Sequence, residues 1–551
     1  MPALSPVKKV MSTRGPVVAA ALLLLLAVQV IPAMRTKSAT SDEFSHHIAS
    51  GYSYLLTNDF RMNPASPPLP RMLTAVPLLF LGAKAPLDHD SWITGDSPEF
   101  ARQFFYRYNP GRLDEFVFWA RFPVVLLSII FGLCLYVWGK RLFGETAGLA
   151  ALILYVFCPD ILAHSGLATA DLCVALFFFT ACMRFGQYLH KPTAKNLVVT
   201  GVMAGLTFLS KFSALALCPV LLLTALAAGK RKEIALPKTL AFLGVTLFVI
   251  WAGYGFEMKP LLKHTPDPTK KITVLKWVGG PTLVRFAQEV PIPLSTFSSA
   301  VISMGVTRAE GTNAYLMGAW SRAGWWYYYF VAFAVKNTIP FLLFGFAGFW
   351  WVLRAKVERV WKAVLLIPPV FFFAATMPDR AQAGIRYFLP VYPMVMLAGG
   401  AFASDCFGRG KVARGIVAAL LVWHAAETLA VFPDHLTYFN EIAGGPRNGY
   451  KWLRDSNIDW GQDLKGLGEL VRAEQYSEVA LVFYGPVDPA YYKIPYRKLD
   501  PGEYQIPRKT VYAVGVHLMD DVRWISTALP SHNVGNSIYV YDFRDKDLKE
   551  F

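Results

Sequence analysis

The chain has 551 residues, of which 54% are hydrophobic and only 17% charged, and its mean hydropathy is +0.36. A soluble globular chain carries roughly 25% charged residues, so this composition excludes a disordered protein, a simple cytosolic enzyme and a soluble nucleic-acid binder, and leaves a membrane protein. The 54 Lys and Arg against 38 Asp and Glu give a net +16, an excess that polytopic membrane proteins collect in their short cytoplasmic loops and that needs no nucleic-acid partner.

Residues 16–34 form the first apolar segment, long enough at ~1.5 Å per residue to cross a bilayer. A cleaved signal peptide is the alternative reading of that segment. Further crossings are expected at 116–138, 147–162, 172–189, 197–210, 212–228, 240–256, 327–353, 361–377, 387–403 and 416–431, about eleven helices in all. The pair 197–210 and 212–228 is short and split by Lys211, which fits either two short helices meeting at the outer surface or one long broken helix. With the N-terminus inside, every inner segment is basic: Lys8, Lys9 and Arg14; Lys140 and Arg141; Arg184, Lys191 and Lys195; 230–238; 354–362; and Arg409, Lys411 and Arg414. The positive-inside rule therefore supports this register throughout. A membrane module at 1–431 follows, with outer loops at 35–115 and 257–326, and then an outer tail at 432–551.

The tail reads as a small α/β domain, with strands expected at 477–484, 509–517 and 537–543 and a helix over most of 449–473. The six cysteines all fall in or beside the spans, so no disulfide framework is expected. No Cys/His spacing resembles a zinc site, no GxxxxGK[ST] phosphate loop occurs, and no cofactor is expected; a divalent-metal requirement stays open.

Chemistry is expected first at Asp42-Glu43, just outside the first span. Two adjacent acids are commonly a solvated loop. Here aromatic residues surround them, and a Pro67-Pro68 turn leads to an amphipathic helix over 69–81 that suits a membrane face. Arg121 at the start of the second span reads either as a snorkelling interface residue or as a functional ion. Asp171 reads as a site acid or a helix cap, and Lys211 as a phosphate contact or an interface anchor. Lys336 falls well inside a span, where a paired or functional role is favoured. Arg386 is a donor contact or an anchor. Residues 325–329 form an aromatic belt, one or two of whose rings could line a sugar site.

The motifs occur in a definite order: Asp42-Glu43; Ser66-Pro67-Pro68-Leu69; Ala120-Arg121-Phe122-Pro123; His164 through Asp171; Gly205 through Lys211; Lys336-Asn337-Thr338-Ile339-Pro340; Arg386-Tyr387-Phe388-Leu389-Pro390; then Tyr438 through Pro446 and Asp455-Ser456-Asn457-Ile458-Asp459-Trp460. This ordered set resembles the GT-C-type membrane glycosyltransferases, the superfamily of protein O-mannosyltransferases and bacterial aminoarabinose transferases. The resemblance implies a multi-pass bacterial inner-membrane enzyme, with the N-terminus cytoplasmic and the tail periplasmic. Such an enzyme moves a hexosyl or pentosyl unit, with inversion, from a polyprenyl-phosphate donor to a hydroxyl of a glycan, lipid or protein acceptor on the outer face of the bilayer.

By the same resemblance, Asp42 is the general base and Glu43 orients it or contacts the acceptor. Arg121 falls to the donor phosphate or to pairing with the acids; Asp171, Lys211, Lys336, Arg386, Tyr387, Arg71 and His164 fall to the donor phosphate and substrate, and Asn457, Asp459 and Trp460 to docking of the tail or to the acceptor. One departure stands out: the family often has His or Lys before the Pro-Pro pair, where this chain has Ser66, and Arg71 is the nearest compensating cation. A transporter or lipid flippase, or an inactive scaffold, is the alternative function.

Overall fold

The computed structural model describes residues 14–263 and 268–548; Lys8 and Lys9 lie outside the described residues. Each of the eleven predicted apolar segments is helical, as a single helix or as a bent or broken pair. Seven helices are long and apolar enough to cross a membrane: Arg14–Thr36, Leu113–Phe143, Asp171–His190, Leu236–Gly253, Arg359–Thr376, Ile385–Gly408 and Lys411–Ala430. Two bent pairs bring the number to nine, Glu145–Val156 with Pro159–Ser165 (66°) and Tyr328–Lys336 with Ile339–Arg354 (117°). Proline explains both bends: Pro159 and Pro340 each open the second helix of their pair, where a missing N–H costs nothing. Ala194–Ser210 and Phe212–Ala227 are shorter apolar helices. Lys211 between them is extended (φ −163°, ψ 148°), so the predicted break is real.

Small residues let the helices close on one another. A methyl on Gly348 of the Ile339–Arg354 helix would sit 2.4 Å from the Ala398 carbonyl carbon of the neighbouring helix. At one end of the bundle the basic segments meet. Lys140 pairs with Glu145 at 2.8 Å, His190 with Glu358 at 2.9 Å, and Tyr188 Oη donates to the Glu233 carbonyl at 3.0 Å. Segments 35–43, 164–171, 211 and 384–387 meet instead at the face that carries the tail. Beside them lies the Leu69–Phe80 helix, amphipathic as predicted, burying Arg71, Thr74, Ala75 and Leu78 and exposing Phe80.

The tail folds around a five-stranded sheet in the spatial order Tyr496–Arg497, Val479–Val482, Val511–Gly515, Ile538–Asp542, His532–Val534. Val479–Val482 runs parallel to both its neighbours, with Leu481 opposite Ala513. Val511–Gly515 pairs antiparallel with Ile538–Asp542, with Ala513 opposite Val540. Both central strands are buried along their length, which is why they read as unbroken apolar runs. The helix expected over 449–473 shrinks to Leu464–Ala473. Asp455 (φ +58°) and Gly461 (φ +86°) stop it earlier, because 455–460 is a loop pinned to the bundle. Tail and bundle share one hydrophobic core, in which Leu453, Ile458 and Tyr512 belong with Tyr328 and Phe388. A hairpin from the second loop, Ala314–Leu316 with Ala319–Ser321, joins the tail through a bridge between Leu316 and Leu453.

Candidate active site

Thr40 and Glu43 make the reciprocal bonds of a capping box. Glu43 N–H donates to Thr40 Oγ1 at 3.4 Å, and Thr40 N–H donates to Glu43 Oε2 at 2.9 Å. Residues Glu43–His47 then wind as a π-helical turn, a feature that recurs at functional sites. The Glu43 carboxylate also receives the Ala168 N–H at 2.7 Å and a two-point contact from Arg121, Nε at 2.8 Å and Nη2 at 2.7 Å. Arg121 spends its remaining N–H groups on the carbonyls of Met34 (2.8 Å), Lys37 (3.1 Å) and Ser38 (2.8 Å).

Both side chains are fully buried. A guanidinium has five N–H donors, and all five are taken, so Arg121 has none left for a phosphate. Of the two roles expected for Arg121, pairing with the acids is the one its contacts make: it and Glu43 are a knot that ties the 34–43 segment to two helices. Burial alone would raise the Glu43 pKa, but Arg121 and the donated N–H groups hold it below the ordinary carboxylate value.

The knot turns Asp42 the other way. Its side chain is 30% exposed, Oδ2 accepts from Arg386 Nη1 at 3.0 Å, and Oδ1 has no hydrogen-bond partner among the described residues. Burial pushes the Asp42 pKa up, and the charge of Arg386 more than offsets this, so the carboxyl stays ionised below its ordinary value. The same Arg386 Nη1 lies 3.9 Å from Asp171 Oδ2, and Asp171 Oδ1 pairs with Lys211 Nζ at 2.5 Å. Lys211 Nζ stands 3.9 Å over the Tyr387 ring, and the Arg386 guanidinium 4.3 Å over that of Trp460. Asp42, Arg386, Asp171 and Lys211 thus alternate in sign along one line. Tyr387 also lines a cavity of about 210 Å³ with Phe212, Ala216, Tyr329, Phe371 and Phe372.

The tail loop fixes Arg386. Asn457 Oδ1 accepts the Ile385 N–H at 2.9 Å, and Ser456 Oγ donates to the Ala383 carbonyl at 3.0 Å. Gly384 makes this contact possible: its φ is +91°, and a Cβ there would lie 2.7 Å from Ser456 Oγ. Lys336 lies beneath, fully buried, and donates to the carbonyls of Leu436 (2.7 Å) and Asn457 (2.8 Å), with Asp160 at 4.0 Å. These contacts make Lys336 a buried strut between the bundle and the tail, in line with the paired role expected of it. Asn457 and Trp460 both contact the bundle, Asn457 through Ile385 and Tyr328 and Trp460 through the Ser41 N–H. Asp459 is buried in the tail, where Oδ1 accepts from Gly461 N–H at 3.1 Å, and burial pushes its pKa up to about 7.

Arg71 is buried and braces the Pro-Pro loop, Nη1 donating to the carbonyls of Asn63 (2.9 Å) and Ser66 (3.0 Å), while its Nε has no partner. His164 packs edge-on to Trp460, ring centroids 6.4 Å apart, with its buried Nδ1 unpartnered. Sequence reasoning passed over His46 and His47, whose buried Nδ1 atoms also lack partners. Burial and the neighbouring Arg71 charge push His47 down to about 3, so it is a neutral imidazole. The His-His pair so close to Asp42 was the available signal. Among the described residues no three His, Cys, Asp or Glu side chains converge as a metal site.

Residues 114–253 match the family model described as dolichyl-phosphate-mannose-protein mannosyltransferase, a segment that holds Arg121, His164, Asp171 and Lys211, so the family resemblance is borne out there. Among solved structures, ArnT from Cupriavidus metallidurans bound to undecaprenyl phosphate is 11% identical, with 96% of this chain and 98% of that chain covered and a TM-score of 0.48. The archaeal oligosaccharyltransferase AglB from Archaeoglobus fulgidus, in complex with an inhibitory peptide and a dolichol-phosphate, is 14% identical, with 76% and 56% covered and a TM-score of 0.45. No curated protein matches the chain.

Proposed function

We propose that the protein is an inverting glycosyltransferase. It takes a hexosyl or pentosyl unit from a polyprenyl phosphate and gives it to an acceptor hydroxyl at the outer face of a bacterial inner membrane. The observation that carries this reading is the Asp42–Arg386–Asp171–Lys211 line. One oxygen of Asp42 is unpartnered among the described residues while two cations stand beyond it, next to a cavity lined mostly by apolar and aromatic side chains, with Arg308 and Asp379 also on its wall. The matched family's donor is a mannosyl ester of a polyprenyl phosphate, and such a donor presents an anion on an apolar tail, the two things these neighbouring features suit.

In the reaction Asp42 Oδ1 takes the proton of the acceptor hydroxyl. The hydroxyl oxygen bonds to the anomeric carbon as the carbon–phosphate oxygen bond breaks, and the phosphate leaves with the electron pair. Lys211 and Arg386 receive that charge. Their partners Asp42 and Asp171 balance the two positive charges. A single in-line displacement inverts the anomeric carbon. Glu43 and Arg121 act through position, holding Asp42 at the rim, and Arg71 takes the place of the cation that Ser66 lacks.

The test is sugar transfer from a radiolabelled polyprenyl-phosphate sugar by purified protein in nanodiscs. Wild type turns over and Asp42→Asn loses at least about 100-fold, the usual scale of a general base. Equal rates in the two proteins would remove Asp42 from this role.

A further inference from the structure

We propose that the tail and the 314–321 hairpin form a saccharide-binding face beside Asp42, so that the acceptor is a carbohydrate. This assignment rests on the glycosyl-transfer reaction proposed for Asp42. Three rings form a run: Trp320 and His517 are 5.5 Å apart and His517 and Tyr484 4.5 Å apart, centroid to centroid. Trp320 is 42% exposed although it sits on a loop with a polar anchor, its indole N–H donating to Asp520 Oδ2 at 3.0 Å. A Cβ on Gly461 would lie 3.1 Å from the Tyr484 carbonyl oxygen, and the carbonyl of the preceding residue, Trp460, accepts the Ser41 N–H at 2.9 Å. The run therefore leads from solvent to the turn that holds Ser41, the residue before the base.

Polar groups with spare capacity flank the rings. Arg454 is 3% exposed and its Nη2 binds Asp520 Oδ1 at 2.7 Å, yet its Nη1 is buried without a partner. His517 Nδ1 is in the same state. Asp455 is held at φ +58°, a conformation that costs a non-glycine residue energy and persists at functional sites. Buried polar groups without partners are costly, and the hydroxyls of a bound sugar would meet both a donor such as Arg454 Nη1 and a ring nitrogen of either tautomer. A sugar offers what this face lacks: a flat C–H surface for aromatic rings, and hydroxyls that both donate and accept. A peptide would take main-chain bonds from a free strand edge, but the hairpin's Leu316 is already bridged to Leu453, and the Met317 N–H already donates to Trp452 at 2.9 Å.

The test is saturation-transfer NMR on the full chain in nanodiscs, without donor, using mannobiose, lactose, chitobiose and a short Ser/Thr-rich peptide as probes. At least one disaccharide receives saturation on its ring protons. Trp320→Ala weakens its binding about tenfold, the scale of one aromatic contact; Trp320→Phe recovers most of it, and Trp277→Ala, which removes another exposed indole of the same loop, changes nothing. No signal from any disaccharide, binding of the peptide alone, or equal binding by wild type and Trp320→Ala would each overturn the proposal. Because no donor is present, these results stand whether or not Asp42→Asn abolishes transfer, and the two assignments fail separately.

Discussion

Asp42 and Glu43 are adjacent acids with opposite fates. Glu43 is saturated by Arg121, Thr40 and Ala168, whereas Asp42 keeps an oxygen free. Removing one partner of a buried ion pair leaves the other charge stranded, at about 3–5 kcal/mol. Arg121→Ala is therefore expected to fail in folding before it fails in catalysis, and thermal melts of detergent-solubilised protein, with accumulation in the membrane, read this out. Normal accumulation with selective loss of donor use would instead return Arg121 to the phosphate. Asp42 makes a second prediction through pH. Its pKa lies below the ordinary carboxylate value, so the base is already ionised at every pH above about 4, and the acid limb of the transfer rate falls only below that. An acid limb well above about 4 would show that a different group limits the rate.

Among the elements, the apolar segments were legible because a bilayer imposes length and composition on them. The Lys211 break was legible because a cation interrupts an apolar run. The 449–473 helix was misread because its sequence has helical spacing while its loop answers to distant partners, Lys336 and Ile385. Nothing local in the sequence shows that the carbonyls of Met34, Lys37 and Ser38 consume Arg121 either. Gly384 tests the loop's importance. An added methyl meets Ser456 Oγ at 2.7 Å, on a backbone at φ +91°, so Gly384→Ala is expected to cost about 1–3 kcal/mol and to loosen Arg386. Reduced transfer with a raised donor KM is the expected result; unchanged kinetics would show that the tail loop does not position Arg386.

Over the whole molecule, charge and packing define two ends, one of basic loops and one where the tail closes over the acids. If the basic end is cytoplasmic, Asp88→Cys and Lys498→Cys, with the exposed Cys218 replaced, react with an impermeant maleimide from the same, outer side. Lys356→Cys does not react from that side. The closure of the tail is itself expected to respond to pH. Asp459 is fully buried with no salt-bridge partner among the described residues, and burial raises its pKa to about 7; burial acts in the same direction on Asp463, although Lys37 opposes it.

A carboxyl whose folded-state pKa is raised favours the folded tail in its protonated form. That contribution is complete below the ordinary carboxylate value and is lost as pH rises through about 7. Lys37 cannot reverse this trend, because its own pKa is raised and it stays charged throughout that window. Hydrogen exchange over Ile538–Asp542 should therefore quicken as pH rises through about 7, after correction for the intrinsic pH dependence of exchange. Asp459→Asn, uncharged at every pH, should flatten the profile. An identical pH trend in both proteins would show that ionisation of Asp459 does not weaken the tail.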